Sequence, residues 1–195
     1  METPHEMNPT RDGMSRMKRP RLLYFVGALV AGALIALLAS LLIVRDNGAK
    51  ASVPAIGSPA SVSVDQLKAL AAQTDHPVYW AGAKSGAYEL TRTSDGRIYV
   101  RYLPSADKVG DRAANYLTVG TYQSKNAFTA IQRAAARQGA VSVKIDNGGL
   151  LVFNESTPKS VYFSYPGATY QVEVFDPSAK QARTLVLAGK ITPIK

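Results

Sequence analysis

The chain contains no cysteine. That absence excludes a disulfide framework, a thiol nucleophile, a haem-attachment motif, a lipoprotein anchor and any cysteine zinc cluster. Histidine is nearly as scarce. His5 and His76 are the two copies, too few for a multi-histidine metal site within one chain, so neither a metal nor a cofactor is expected. Acidic residues are outnumbered, with 14 Asp and Glu against 23 Lys and Arg for a net charge of +9. No glycine-rich phosphate loop is present, because Asp146-Asn-Gly-Gly149 lacks a following Lys-Ser/Thr and helix and reads as a hairpin turn. No Gly-x-Ser-x-Gly elbow, calcium-loop pattern or internal repeat occurs. Among the 195 residues, 46% are hydrophobic, too many for a disordered chain and enough for one domain with appendages.

The longest apolar run is residues 22–44, which holds no ionisable group except Tyr24. As a helix it would extend about 35 Å at ~1.5 Å per residue, enough for the ~30 Å hydrocarbon core of a bilayer. Lipid cannot satisfy free backbone amides, so such a span must be helical. Arg11, Arg16, Lys18, Arg19 and Arg21 precede the run, whereas Arg45 and Lys50 alone follow it closely. The positive-inside rule therefore predicts a single-pass cell-membrane protein with a cytoplasmic N-terminus and an extracytoplasmic C-terminal domain. The run is much longer than the ~7–15 apolar residues of a cleaved signal peptide, which favours an uncleaved signal anchor. Ala49-Lys50-Ala51 is the one stretch resembling a cleavage site. Ala28, Gly32, Ala36 and Ser40 recur every fourth residue, a spacing that lets two helix backbones approach and form a parallel homodimer. In an alanine-rich chain, composition alone also produces such a stripe.

Residues 1–21 are polar, proline-containing and without apolar periodicity, and are predicted to be a disordered cytoplasmic tail. Residues 45–61, rich in Ala, Ser, Gly and Pro, are predicted to be a flexible linker. An extracytoplasmic α+β domain over 62–195 follows. Ser63-Val-Asp-Gln66 is a capping box, opening a helix over 64–73 that ends before His76-Pro77. Tyr88–Thr93 and Arg97–Leu103 alternate and flank Ser94-Asp95-Gly96. A three-residue loop with left-handed Gly96 pairs Leu90 with Val100 and Tyr88 with Tyr102 on one face, and Glu89 with Arg101 on the other. Tyr116–Tyr122 reads as a strand. Ser124 is predicted to cap a helix to about Gln138 that carries Phe128, Ile131 and Ala135 on one face and stops at Gly139. Hairpins are expected from Val141–Ile145 with Leu150–Phe153, and from Val161–Tyr165 with Tyr170–Phe175. Asp176-Pro177 suits a helix start, with proline first in the helix, and Gly189 suits its stop. Thr184–Leu187 would also suit a strand; a helix followed by a short strand at 190–194 is preferred. The expected architecture is an antiparallel sheet of hairpins with two or three helices on one side.

Catalytic constellations are thin. His76 is the one exported histidine a Ser–His–acid triad could use, and Asp75 beside it points elsewhere in an extended segment. His76 reads instead as a helix-end residue against terminal carbonyls. Ser105-Ala-Asp-Lys108 spells the Ser-x-x-Lys pattern of penicillin-recognising enzymes, but in a loop and without Lys-Thr-Gly. A glycosidase would need two carboxylates flanking a cleft. Asp107 and Asp111 are the nearest pair off regular structure, and they leave an envelope hydrolase as the alternative to a binding module. Asn154-Glu-Ser156 spells a glycosylation sequon, relevant only in a eukaryotic secretory pathway.

Binding has more support. The exported part is basic, with Arg97 and Arg101 among its scattered arginines, and outside the membrane the available polyanions are lipid headgroups and envelope polymers rather than nucleic acid. Tyrosine is the preferred aromatic, combining an apolar ring with a polar tip. Most of its copies suit a sheet core with the hydroxyl at the rim. Tyr79-Trp80, beside the Ala81–Ala87 loop, is the first place expected to form a groove.

The segments Asp75-His-Pro-Val-Tyr-Trp-Ala-Gly82 and Tyr88-Glu-Leu-Thr-Arg-Thr-Ser-Asp-Gly-Arg-Ile-Tyr-Val-Arg-Tyr-Leu-Pro104 resemble a group of uncharacterised, single-pass, exported proteins of high-GC Gram-positive bacteria. The resemblance covers residues 64–195. It implies a bacterial envelope location and no particular activity.

Overall fold

A computed structural model of the protein describes residues 54–195. The predicted tail, the span over 22–44 with Ala28, Gly32 and Ala36, and the first part of the linker lie outside the described residues. Among the described residues no helix is long and apolar enough to cross a membrane.

The domain is α+β. Its strands are β1 (Ala60–Val62), β2 (Tyr79–Trp80), β3 (Ala87–Arg92), β4 (Ile98–Leu103), β5 (Thr118–Gln123), β6 (Ala140–Lys144), β7 (Leu150–Asn154), β8 (Ser160–Ser164), β9 (Tyr170–Phe175) and β10 (Thr192–Pro193). Its helices are α1 (Val64–Ala71), α2 (Ala127–Ala135) and α3 (Ala179–Leu187). Eight strands form one antiparallel sheet in the order β1-β3-β4-β5-β9-β8-β7-β6, and β10 pairs with β2 in a separate ribbon.

Local chemistry accounts for most of these elements. The Ser63 side chain accepts from the Gln66 backbone amide while Gln66 returns a bond to the Ser63 amide, so the capping box is complete. The β3–β4 hairpin has the expected register, with Leu90 opposite Val100, Tyr88 opposite Tyr102 and Glu89 opposite Arg101. Gly96 makes this possible at φ 80°, a left-handed value that favours glycine.

Three local expectations change. Ser124 does not cap α2: Asn126 is the N-cap residue, without a side-chain bond, and the Ser124 carbonyl instead accepts from Ala127. Ser178 caps α3 through its hydroxyl, which leaves Pro177 outside the helix and lets Asp176 accept from the Ser178 amide. The linker expected to run to residue 61 ends earlier. Ala60-Ser61-Val62 pairs with β3, and the Gly57 amide bonds the Arg92 carbonyl, because an otherwise open β3 edge offers those residues backbone partners.

Alternation along the strands gives the sheet two unlike faces. Leu90, Val100, Val119, Val172 and Phe163 point to the first face and are buried. Leu67 and Leu70 of α1, Tyr79 of the ribbon, and Ala182, Leu185 and Val186 of α3 cover it. Helices were expected on one side only, but α2 lies on the second face, against β7 and β8. Val152 and Ser164 alternate to that face and are buried, as are Ala127 and Ile131 of α2. Asn154, from the same face, donates through Nδ2 to the Gln138 carbonyl just beyond the helix at 3.0 Å. Small and apolar residues on the second face of β7 and β8 require this cover. Among the described residues no buried side-chain nitrogen or oxygen lacks a hydrogen-bond partner.

Candidate functional site

The second face is open between α2 at one end and the loop 104–117 at the other. Four strands contribute to the open strip. Tyr99 comes from β4, Gly120 and Tyr122 from β5, Gln171 and Glu173 from β9, and Tyr162 from β8, all on the same face by register. Two cavities of about 440 Å³ and about 310 Å³ lie along it on either side of Glu173, which lines both, and together they make up a trough. The first is lined mainly by polar groups, among them Asp95, Arg97, Gln123 and Gln171. The second reaches Arg101, Arg112 and Tyr116.

Glu173 is the centre of the trough. Its Oε1 accepts from the Tyr162 hydroxyl at 2.9 Å and from the Ser160 hydroxyl at 2.8 Å, and its Oε2 accepts from the Tyr122 hydroxyl. Gly120 sits opposite Glu173 in the ladder. A Cβ at Gly120 would stand 3.0 Å from the Tyr122 hydroxyl and 3.2 Å from the Tyr99 ring. Glycine thus gives the floor its depth and lets Tyr122 fold back toward the carboxylate. Tyr99 and Tyr122 meet edge to face with centroids 5.6 Å apart.

No known protein family, curated protein or solved structure matches this chain.

Two of the three arginines along the trough, Arg97 and Arg101, are already engaged. Arg97 forms a 2.8 Å ion pair with Asp95 through Nε and lies over the Tyr122 ring at 5.6 Å. Arg101 binds Glu89 at 2.7 Å, donates to the Ala113 carbonyl, and lies over the Tyr116 ring at 5.1 Å. Glu89 also accepts from the Gly110 amide at 2.6 Å. Loop 104–117 is therefore fastened to the sheet through a buried charge pair. Within that loop Asp111 accepts from the Ala113 amide and the Tyr116 hydroxyl, and these bonds hold its carboxyl below the usual range.

Sequence-predicted site residues divide between the two faces. Arg97 and Arg101 come together on the trough side. Tyr79 and Trp80 do not join them. Tyr79 is buried on the first face, with its ring against Phe163 and its hydroxyl 3.2 Å from that of Tyr170, and Trp80 is half-buried in the core around Leu67 and Leu90. Pairing with β10 turns Tyr79 into one core cluster and leaves Trp80 packed at the edge of the other. His76 likewise does not serve the end of α1. Thr74 donates to the Ala71 carbonyl, and the His76 ring nitrogen Nδ1 lies 3.2 Å from the Pro77 carbonyl. Asp107, the other acid of the loop pair, is bonded by the Ser105 hydroxyl. That serine belongs to the Ser-x-x-Lys spelling, which falls on a short 3₁₀ turn at Ala106–Lys108.

Glu173, Gln171 and Gly120 were not singled out from the sequence. The signal available was the alternation of Tyr170-Gln-Val-Glu-Val-Phe175, which sets Gln171 and Glu173 on one strand face and Val172 and Val174 on the other.

Burial and the Glu173 charge shape the titration of the cluster. Burial first, and then the negative charge and hydrogen bond of Glu173, push the Tyr162 hydroxyl up to about 12. The same causes raise Tyr122 further. A tyrosine whose folded value lies above its ordinary 10.0 adds stability that is intact below pH 10 and is lost as pH rises through about 12, since the unfolded chain releases the proton first. We expect stability to fall over pH 10–12. Tyr162→Phe should make that fall shallower in urea titrations followed by circular dichroism, and an unchanged slope would mean that Tyr162 is not a contributor.

Proposed function

We propose that the protein is a single-pass membrane protein of a bacterial envelope, N-terminus in the cytoplasm, presenting a non-catalytic binding module on the outer side. The 22–44 apolar run and the arginine excess before it support the location. The lipid bilayer is one partner, through that run, and a homodimer through Ala28, Gly32 and Ala36 is a second. The third is an envelope polymer or protein. The observation that carries the binding reading is the trough itself: a concave strip of hydroxyl, amide and guanidinium groups around a carboxylate whose two oxygens are already held by three hydroxyls. Such a carboxylate is built into a polar lining. The hydrolase alternative gains no support from Asp107 and Asp111, since each is bonded within its own loop.

Protease added to intact cells is expected to digest the C-terminal domain and leave a membrane-bound N-terminal fragment. Sparing of the domain, or recovery of a freely soluble mature form beginning near residue 50, would overturn the anchored topology.

A further inference from the structure

We infer that the trough on the second sheet face takes an uncharged, polyhydroxylated chain — a neutral glycan — with Tyr99 as a stacking platform and Glu173 and Gln171 as hydrogen-bond partners. This rests on the binding-module reading and adds the ligand class.

Charge excludes the other classes one at a time. A cationic ligand held in an aromatic cage needs free ring faces. Arg97 already covers one face of Tyr122, and Arg101 one face of Tyr116, so a second cation at either ring would meet the repulsion of a guanidinium already there. A polyanion would run along a strip whose centre is the Glu173 carboxylate and whose rim carries Asp95. Of the three arginines lining the trough, Arg97 pairs with Asp95 and Arg101 with Glu89, and the charge of Arg112 is balanced by that of Glu173. What remains is a neutral ligand with many hydroxyls.

The donors and acceptors present fit that ligand. A carboxylate offers about four acceptor positions, and Tyr122, Tyr162 and Ser160 occupy three at Glu173. One acceptor position is left for a ligand hydroxyl. Gln171 adds an amide that both donates and accepts, and Gln123, whose amide nitrogen already donates to Asp75, adds its carbonyl oxygen. Tyr99 contributes a half-buried ring to the lining of the second cavity, an apolar surface against which a saturated ring can pack, while the space over Gly120 itself is taken by Tyr122. The two joined cavities each reach the volume of an ordinary ligand pocket, roughly 300 Å³ or more, and their run along the sheet suits an extended chain rather than a compact molecule.

The test uses the full chain in a sugar-free detergent. The probes are cellohexaose, mannohexaose, a hexamer of β-1,4-linked N-acetylglucosamine, heparin, polyphosphate and spermine, followed by calorimetry. At least one neutral hexasaccharide is expected to bind. Tyr99→Ala should then weaken binding about 10-fold or more, as expected for loss of an aromatic anchor, whereas Tyr99→Phe retains most of it. Gln171→Ala, at the trough wall, provides a second variant outside the core. Binding of heparin, polyphosphate or spermine in place of the neutral hexamers would overturn the ligand class. So would neutral binding that neither Tyr99→Ala nor Gln171→Ala changes, or no binding to any neutral hexamer. Mass spectra of the sugars after incubation separate this inference from the reading beneath it. A shortened hexamer would refute the non-catalytic assignment while leaving the glycan class intact, and capture of envelope material without hexamer binding would do the reverse.

Discussion

Replacing Arg101 with methionine is expected to remove about 3–5 kcal/mol of folding stability, the usual cost of stranding one member of a buried ion pair. The partner left behind is Glu89, whose residue is 1% exposed. Its second oxygen would still accept from the Gly110 amide, but a single neutral donor does not offset a buried charge. The loss should appear as a lower urea midpoint with an unchanged slope. Loop 104–117 should also become open to proteolysis, because Arg101 holds the Ala113 carbonyl and the Tyr116 ring as well as Glu89. Combining Arg101→Met with Glu89→Gln removes the stranded charge while keeping an acceptor for Gly110, and should recover most of the loss. A double variant as unstable as the single one would show that the pair is not the cause.

The second large effect lies on the opposite face. Phe163→Ala is expected to cost about 3–5 kcal/mol, since it removes a fully buried aromatic side chain and leaves a cavity. Phe163 is 1% exposed and meets both Tyr79 and Tyr165 edge to face, with centroids 5.7 Å and 5.9 Å away. Phe163→Leu should retain a large part of the stability, because it refills much of the volume but restores neither ring contact. Urea denaturation of both variants is the measurement. Equal losses in the two would mean that the edge-to-face contacts dominate over volume.

Legibility in the sequence followed the range of the interactions. The β3–β4 hairpin could be written residue by residue, because a two-residue period on each strand and one left-handed glycine determine its register locally. The capping box of α1 was readable for the same reason, whereas at Ala179–Leu187 the sequence allowed helix or strand, and the helix that forms starts from Ser178 rather than Asp176-Pro177. Placing α2 required knowledge of the opposite face. Val152 and Ser164 mark that face as covered only once β7 and β8 are known to be neighbours.

The trough was harder still. Tyr99, Tyr122, Tyr162 and Glu173 are separated by long stretches of chain, and the order β4-β5-β9-β8 alone brings them together. Tyr79-Trp80 attracted attention as adjacent aromatics, yet adjacency in a strand sends two side chains opposite ways and says nothing about which way is out. Arg97, just before β4, and Arg101 within it share a side because residues four apart along an extended strand return to the same face.

The β5–β9 ladder has a kinetic consequence. β1, β3, β4 and β5 form one set of near neighbours in the chain, and β6 to β9 form another, with the pairing of Val119 with Val174 joining them. Each set can zip up from short loops, whereas the joining step must close a long one, and such distant pairings slow folding. Tyr99 and Tyr122 belong to the first set, Tyr162 and Glu173 to the second. The trough therefore does not exist until that final seam closes, and a ligand bridging both sides, as proposed above, would stabilise the closed seam against opening.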